Sequence, residues 1–115
     1  MNMSRTMLAL KVLGEKNKIF VFDPAKGVRI GRRTDRNEIS LQDMLVSGEH
    51  CRISVWQGRL CIEDRQSANG TVIKKKWKRE RILYGDADLL DTGDKIRVGN
   101  TWFQIRLFYC DLITG

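Results

Sequence analysis

Hydrophobic and polar residues alternate along most of the chain in short runs, and glycine, asparagine or aspartate separates the runs about every eight to twelve residues. This pattern is typical of strands joined by tight turns, as in a sandwich or barrel. The alternation is clearest where Cys51, Ile53 and Val55 are expected on one face of a strand. Gln57-Gly58 fits a tight turn, so the pattern predicts a hairpin over residues 49–63.

Further strands are predicted towards both ends of the chain. Residues 6–13 and 18–22 flank a turn, Val28 begins a strand after the break at Asp23-Pro24, and residues 95–98 and 101–108 flank a second turn. No convincing helix, repeat or linker is visible. We therefore predict one all-β domain over residues 1–115: an antiparallel sandwich of roughly ten short strands without a substantial helix.

Length and charge limit the function. A chain of 115 residues is long enough for one domain with a single core and too short for two. Its net charge of +7 and isoelectric point near 9.7 indicate a surface that attracts anions. Phosphorylated protein, nucleic acid and an anionic membrane face all fit that charge, and composition alone does not choose among them.

The cysteines and the hydrophobic runs set further expectations. Cys51, Cys61 and Cys110 are odd in number and lack a C-x-x-C pair, which indicates neither a disulfide framework nor a zinc site. Cys51 and Cys61 lie in strand-like runs, where we expect small buried hydrophobes. We expect a reducing compartment, the cytoplasm, and no metal or other cofactor. No signal peptide is visible, and no run approaches the roughly 18 apolar residues of a membrane helix.

Three loops carry candidate binding chemistry. Arg32 follows a strand that ends at a glycine, where a guanidinium can hold a phosphate or carboxylate with two hydrogen bonds. Ser47 can donate a hydroxyl hydrogen bond to an anion, and the backbone N–H of Gly48 is open to close approach. Asn69 could hold a peptide backbone while Gly70 permits a sharp bend. Taken singly, each motif is also an ordinary surface or turn feature.

His50, the only histidine, raises the question of catalysis. A serine and a histidine three residues apart at the start of a strand would be poorly aligned, and no third orienting residue is evident. We therefore expect no catalytic residue and no enzymatic activity, and we interpret His50 as a structural hydrogen-bonding residue.

Taken together, the motifs resemble the forkhead-associated (FHA) domain family over about residues 7–108. The motifs are Gly31-Arg32, Ser47-x-x-His50, Asp64-x-x-Ser67-x-Asn69-Gly70-Thr71 and Gly93-Asp94-x-Ile96-x-Val98-Gly99. The resemblance implies an eleven-stranded β-sandwich whose apical loops bind phosphothreonine peptides. It further implies that Arg32 and Ser47 contact the phosphate, that Asn69 bonds to the peptide main chain, and that Gly31, His50, Gly70 and Thr71 form the framework.

Two positions depart from the family pattern. Gly48 stands where a side chain often touches the phosphate, and Ala68 stands where a threonine or serine often contacts phosphate or peptide. We expect both positions in the binding surface, with weaker binding or with charge supplied by Arg33, Arg36 or Arg65. Leu45 occupies a place where some members carry a basic residue, which favours an apolar peptide residue after the phosphothreonine.

The expected partner is a phosphothreonine-containing protein, the substrate of a serine/threonine kinase, bound by a monomeric domain. An assembly module that has lost phosphate binding stays open because of Gly48 and Ala68. The basic stretch from Lys74 to Arg81 leaves a nucleic-acid binder open as well, although no RNA-binding strand signature accompanies it. We predict instead a solvated hairpin there, with Trp77 packed on an edge of the sandwich.

Overall fold

The computed structural model describes residues 2–113, and side chains are described for residues 5–110, so residues 1, 114 and 115 of the predicted domain lie outside the described part. Within it, one three-residue 3-10 turn at Pro24–Lys26 is the only helix. The strands are β1 Asn2–Val12, β2 Ile19–Phe22, β3 Val28–Gly31, β4 Ile39–Ser40, β5 Cys51–Trp56, β6 Arg59–Asp64, β7 Thr71–Lys74, β8 Arg81–Leu83, β9 Ala87–Leu89, β10 Lys95–Val98 and β11 Thr101–Ile113.

The strands form two sheets that pack face to face. One has six strands in the order β2-β1-β11-β10-β7-β8, and the other has five in the order β4-β3-β5-β6-β9. The paired strands are antiparallel except β3 and β4, which are parallel. The predicted all-β antiparallel sandwich of about eleven strands is therefore confirmed.

The core lies between the sheets because alternate residues of each strand point inward. Leu8, Leu10 and Phe103 come from the six-stranded sheet, and Ile53 and Ile62 come from the five-stranded sheet. Each is fully buried, which stabilises the fold by about 1.5–3 kcal/mol per side chain. The two sheets thereby hold the connecting loops at fixed positions.

The predicted hairpin of β5 and β6 is confirmed, with Cys51 opposite Asp64 and Trp56 opposite Arg59. Val55 lies on the same face as Cys51 and Ile53, as the alternation predicted, but it is 43% exposed because it lies near the end of β5. One prediction of burial was wrong. Cys61 is only half-buried because it points to the outer face of its sheet, whereas Cys51 is buried as predicted.

β1 and β11 are longer than the predicted strands 6–13 and 101–108. They pair with each other over the whole of β1, from Asn2 opposite Ile113 to Val12 opposite Phe103. Each strand thus supplies the hydrogen-bonding partner of the other, a long-range effect that local alternation does not reveal.

Strand direction divides the loops between two ends of the sandwich. The loops after β3, β4 and β6 lie at one end, the apical end, where they contact one another. The loop between β7 and β8, residues 75–80, follows the opposite end of β7 and contains Trp77. No helix among the described residues is long and apolar enough to cross a membrane.

Candidate binding site in the apical loops

Backbone hydrogen bonds join the first two apical loops. The N–H of Arg32 donates to the carbonyl of Ser47 at 2.9 Å, and the N–H of Arg33 donates to that of Gly48 at 3.1 Å. The approach requires glycine at position 31, since a Cβ there would lie 2.4 Å from the Gly48 carbonyl oxygen. Glycine at position 31 therefore lets the first two apical loops approach each other.

The Arg32 side chain is half-buried and lies beside no carboxylate in the described part of the chain. Its Nη1 contacts the Sδ of Met44 at 3.4 Å, a weak acceptor for a cation. Its carbonyl accepts hydrogen bonds from Ser40 Oγ and Gln42 Nε2, both at 3.1 Å. The backbone of this residue is thus fixed, while its guanidinium keeps most of its donors for a ligand.

Side-chain hydrogen bonds tie the third apical loop to the second. The N–H of Ala68 donates to Ser47 Oγ at 3.1 Å, and Asn69 Nδ2 donates to the carbonyl of Leu45 at 2.9 Å. The Ser47 hydroxyl accepts in this contact, and its own proton donates to no group among the described residues. Ser47 can therefore hold the loops and still donate to an anion.

His50 braces all three loops from below. It is fully buried; its Nδ1 accepts from the N–H of Ser47 at 3.0 Å, and its Nε2 lies 2.8 Å from the carbonyl oxygen of Gly70. Because Nδ1 accepts, Nε2 carries the proton and donates to Gly70. Gly70 has φ +78°, and a Cβ there would lie 2.6 Å from Ile82, so only glycine suits the bend. This geometry supports the structural interpretation of His50.

Asp64 anchors the third loop, and the sequence analysis gave it no role. The side chain is 1% exposed. Its two oxygens accept hydrogen bonds from the N–H and hydroxyl of Ser67, the hydroxyl of Thr71 and the N–H of Gly85, at 2.6–3.1 Å. Burial acts to raise the pKa of this carboxyl, but the hydrogen bonds from Ser67, Thr71 and Gly85 outweigh it and lower that pKa below its usual value. Thr71 thus supports the site through Asp64.

Asp43 holds the second loop in a similar way. Its oxygens accept from the N–H of Leu45 at 2.9 Å and from the N–H of Asn100, in the turn between β10 and β11, at 2.8 Å. These two hydrogen bonds lower the pKa of the Asp43 carboxyl. The sequence gives one local sign of this role: an aspartate commonly accepts a hydrogen bond from the N–H two residues later, as Asp43 does from Leu45. Its bond to Asn100 has no local signature.

Gly48 leaves room for the side chain of Arg33. A Cβ at position 48 would lie 3.1–3.2 Å from the Cδ and Cγ of Arg33, so glycine here makes room for the aliphatic part of that side chain. The Arg33 guanidinium donates to the carboxylate of Asp35 at 3.2–3.3 Å, on the exposed surface of the first loop. The position that lacks a side chain is therefore bordered by an additional cation.

The fold brings the main predicted site residues together and separates others. Backbone or side-chain contacts connect Arg32, Arg33, Ser47, Gly48, Ala68 and Asn69, with Gly31, His50, Gly70 and Thr71 beneath them. Arg36 and Arg65 lie at the edge, 3.8 Å from Asp35 and Glu63. The described residues contain no group of three or more histidine, cysteine or acidic side chains that could hold a metal ion.

The predicted packing of Trp77 was wrong. Trp77 is 99% exposed with φ +62°, at the tip of the loop that follows β7. The hairpin itself is confirmed by the pairing of β7 with β8. Trp77 lies in a left-handed turn between charged residues, and its side chain points into solvent instead of packing on the edge of the sandwich.

A two-sheet sandwich with an arginine, a serine and an asparagine on cross-linked loops at one end defines a class of all-β interaction module. The sequence profile of the FHA domain matches residues 28–99 of the chain. This match covers most of the chain and all three apical loops, and the chain belongs to the FHA domain family.

Individual relatives agree with this assignment. The chain is 31% identical over 75 residues to an FHA domain-containing protein of Arabidopsis thaliana; the match covers 64% of the chain and 19% of that protein. It is similar to the crystal structure of the FHA domain of a Chlamydia trachomatis protein, with a TM-score of 0.73, 25% identity and coverage of 87% and 96% of the two chains. It is also similar to Mycobacterium tuberculosis EmbR in complex with a low affinity phosphopeptide, with a TM-score of 0.71, 27% identity and coverage of 87% and 24%. The chain thus spans only a fraction of the Arabidopsis protein and of EmbR.

Proposed function

We propose that this domain binds a phosphothreonine-containing segment of a partner protein through Arg32, Ser47 and Asn69. The observation that carries the proposal is the Arg32 guanidinium, which has no carboxylate partner within residues 5–110 and stands on a loop hydrogen-bonded to that of Ser47. The EmbR structure supports it, because that relative was solved with a phosphopeptide.

The phosphate would be held by groups that the fold has already positioned. Arg32 can donate two parallel hydrogen bonds to phosphate oxygens, the Ser47 hydroxyl can donate a third, and the N–H of Gly48 is available for a fourth. Each charge-assisted bond contributes about 1.5–3 kcal/mol. Because the loops are cross-linked before the ligand arrives, little conformational entropy is lost on binding.

Asn69 would bind the peptide main chain beside the phosphothreonine. Its Nδ2 donates to Leu45, so the amide is held in place while the residue stays exposed. Leu45 and Met44, which is 86% exposed, give the neighbouring surface an apolar character. We therefore propose an apolar peptide residue after the phosphothreonine.

Arg33 would supply part of what Gly48 and Ala68 lack. The aliphatic part of Arg33 lies against Gly48, and its guanidinium donates to the carboxylate of Asp35. A bound phosphate would compete with that carboxylate for the guanidinium. Because a phosphate carries a charge near −2 at neutral pH, it is a stronger partner for Arg33 than one exposed carboxylate is. Ala68 would act through its backbone N–H alone, which orients Ser47.

Phosphorylation by a serine/threonine kinase would create the ligand, and the domain, acting as a monomer, would link its parent protein to that kinase without catalysing a reaction. Since the Arabidopsis protein and EmbR are much longer than this chain, any activity of a complete protein containing this domain is a separate question.

Binding of a peptide library tests the proposal. A degenerate phosphothreonine library and its phosphoserine and unphosphorylated counterparts are titrated into the wild type, Arg32→Ala and Arg36→Ala, with fluorescence anisotropy as the readout. We expect micromolar or tighter binding that needs the phosphate and prefers threonine, that is lost in Arg32→Ala and that is nearly unchanged in Arg36→Ala. Equal binding of unphosphorylated peptides, or no phosphopeptide binding, would contradict the proposal and favour an assembly module without phosphate binding.

A further inference from the structure

The outer face of the six-stranded sheet carries cations without acids. Strand register places five basic side chains on this face, which we call the basic face: Lys11, Lys74, Lys95, Arg97 and Arg106. Within residues 5–110, none of the five lies within 4.0 Å of a carboxylate. The positive potential of this face is therefore not neutralised by the protein itself.

The outer face of the five-stranded sheet differs. Arg29 forms a two-point ion pair with Glu38, with an Nη2–Oε2 distance of 2.7 Å, and the Nη2 of Arg59 lies 3.3 Å from Asp91. Arg52 lies opposite Glu63 in the register of β5 and β6. The net charge of +7 is thus concentrated away from this face.

The cations of the basic face form a spaced array. Lys95 lies between Lys74 on one neighbouring strand and Gln104 on the other, and Lys11 follows beyond Gln104. Neighbouring strands are about 4.8 Å apart and alternate residues of one strand about 6.7 Å apart. Such separations between the cations suit a polyanion that carries one negative charge on each of its successive units. The directly opposed pair of Lys74 and Lys95 is unfavourable for the sheet unless an anion covers it.

Aromatic surface accompanies the charge. The Arg97 guanidinium lies over the ring of half-buried Trp102, 5.7 Å from the ring centre, and its buried Nε has no hydrogen-bond partner within the described side chains. Trp77, on the loop that continues from Lys74, touches nothing with its ring. Its neighbours Lys76, Lys78 and Arg79 form no ion pair with a described carboxylate.

We propose that the basic face and the loop of residues 75–80 bind single-stranded nucleic acid. The cations would follow successive phosphates, and Trp77 would stack on a base, the combination that single-strand binding surfaces use. An acidic protein segment fits the charge, but its carboxylates offer no ring on which the exposed Trp77 could stack. A bilayer fits Trp77 and its lysines but not the array, which extends two strands away to Arg106 and three strands away to Lys11.

The two binding surfaces are separate. The loop of residues 75–80 lies at the end of β7 opposite the apical loops, and none of the five residues of the basic face touches Arg32, Ser47 or Asn69 through a hydrogen bond. The inference therefore does not depend on the proposed phosphopeptide function. A phosphopeptide and a nucleic acid could bind together.

The test uses fluorescence anisotropy of a labelled twelve-residue oligothymidylate and of a mixed-sequence RNA of the same length. A polyglutamate peptide of equal charge and vesicles of 70% phosphatidylcholine and 30% phosphatidylserine are probed in parallel. We expect both oligonucleotides to bind more tightly than polyglutamate and vesicles, with Trp77→Ala weakening binding about tenfold, as the loss of one base stack does. Lys95→Gln/Arg106→Gln should make the slope of log K against log salt shallower by about 1.4, the release of two phosphate contacts.

Matched controls separate this site from bulk charge. Lys26→Gln/Arg59→Gln removes the same net charge elsewhere and should leave the salt slope unchanged, and Arg32→Ala should leave oligonucleotide binding unchanged. Circular dichroism confirms that each variant is folded. The proposal is wrong if polyglutamate or the vesicles bind as tightly as the oligonucleotides, if both double variants weaken binding equally, or if Trp77→Ala binds like the wild type.

Discussion

The apical loops and the basic face both attract anions, but they are built in opposite ways. At the apical end each polar group is held by hydrogen bonds to its neighbours, and one guanidinium without a carboxylate partner among the described residues stands in that frame. On the basic face strand register places the cations, Lys74 donates only to the carbonyls of Lys75 and Lys78, and no described acid balances any of the five. Fixed donors in a defined geometry suit a single phosphate group, whereas an array of cations suits a polyanion with many phosphates.

This difference predicts different sensitivities. Removing a buried support should disturb the apical site even though that support never touches a ligand, since the positions of three loops depend on it. Removing a cation from the basic face should weaken ligand binding in proportion to the charge removed and should leave the fold intact or slightly more stable.

The largest effect is expected for Asp64→Ala. Removing the carboxylate leaves the buried N–H of Ser67, the buried hydroxyls of Ser67 and Thr71 and the partly buried N–H of Gly85 without their acceptor. We expect the free energy of unfolding to fall by about 3–4 kcal/mol, measured by urea denaturation. Asp35→Asn, an exposed acidic position on the first loop, serves as the control and should change it by less than about 0.5 kcal/mol. Equal losses in the two variants would show that the Asp64 network is not the anchor.

The next effect concerns Arg32→Lys, which keeps the charge and removes the planar, two-point geometry. We expect the phosphopeptide dissociation constant to rise at least tenfold, corresponding to the loss of about one charge-assisted hydrogen bond, measured by isothermal titration calorimetry. Arg36→Lys on the same loop is the matched control and should bind like the wild type. If lysine at position 32 bound as tightly as arginine, the apical site would work by charge alone, like the basic face.

Acid should destabilise the protein through the two anchoring aspartates. The folded-state pKa values of Asp64 and Asp43 lie below the unfolded ones, so their stabilisation is complete above the ordinary carboxyl range near pH 4 and is lost as the pH falls through the folded values. In the pH range where a carboxyl is ionised in the folded state but protonated in the unfolded state, the free energy of unfolding falls by about 1.36 kcal/mol for each pH unit of acidification. Urea midpoints between pH 7 and pH 2.5 measure this, and Asp64→Asn should show a flatter profile. A steeper fall in the variant than in the wild type would contradict the assignment.

The smallest effect is expected on the basic face. Lys95→Gln removes one member of the opposed pair with Lys74 and should raise the free energy of unfolding by a few tenths of a kcal/mol at low salt. The gain should shrink in 0.5 M salt because screening removes the repulsion. Lys26→Gln, at an exposed position at the end of the 3-10 turn, is the control. A loss of stability in Lys95→Gln would mean that this lysine supports the sheet.

Local patterns in the sequence predicted much of the fold. The hairpin of β5 and β6 follows from alternation and from Gln57-Gly58, whose positive φ angles of 49° and 75° suit a tight turn. Arg32, Ser47 and Asn69 were proposed as site residues because the order and spacing of their motifs resemble those of the FHA family. The predicted burial of Cys61 was wrong, because alternation shows which residues share a face but not which face is covered. The exposure of Val55 shows that alternation does not reveal where the covered part of a strand ends either.

Long-range contacts were beyond the reach of the sequence. The bond from Asn100 to Asp43 crosses 57 positions, and the paired length of β1 and β11 depends on two strands at opposite ends of the chain. The basic face was missed for the same reason: Lys11, Lys95 and Arg106 are distant in sequence and share a surface only through register. The run from Lys74 to Arg81 was visible, but the sequence did not show that Trp77 would stand free of the sheet.

We propose above all that Arg32, Ser47 and Asn69 form the phosphopeptide-binding site of this domain, with Arg32 and Ser47 on the phosphate and Asn69 on the peptide main chain. The most direct test is a titration of a short phosphothreonine peptide into 15N-labelled protein, followed by amide chemical shifts. We predict that the largest shift changes map to Arg32, Ser47, Gly48, Ala68 and Asn69 and are absent for the unphosphorylated peptide. Phosphate-dependent changes centred on Lys95, Arg97 and Arg106 instead would contradict the claim.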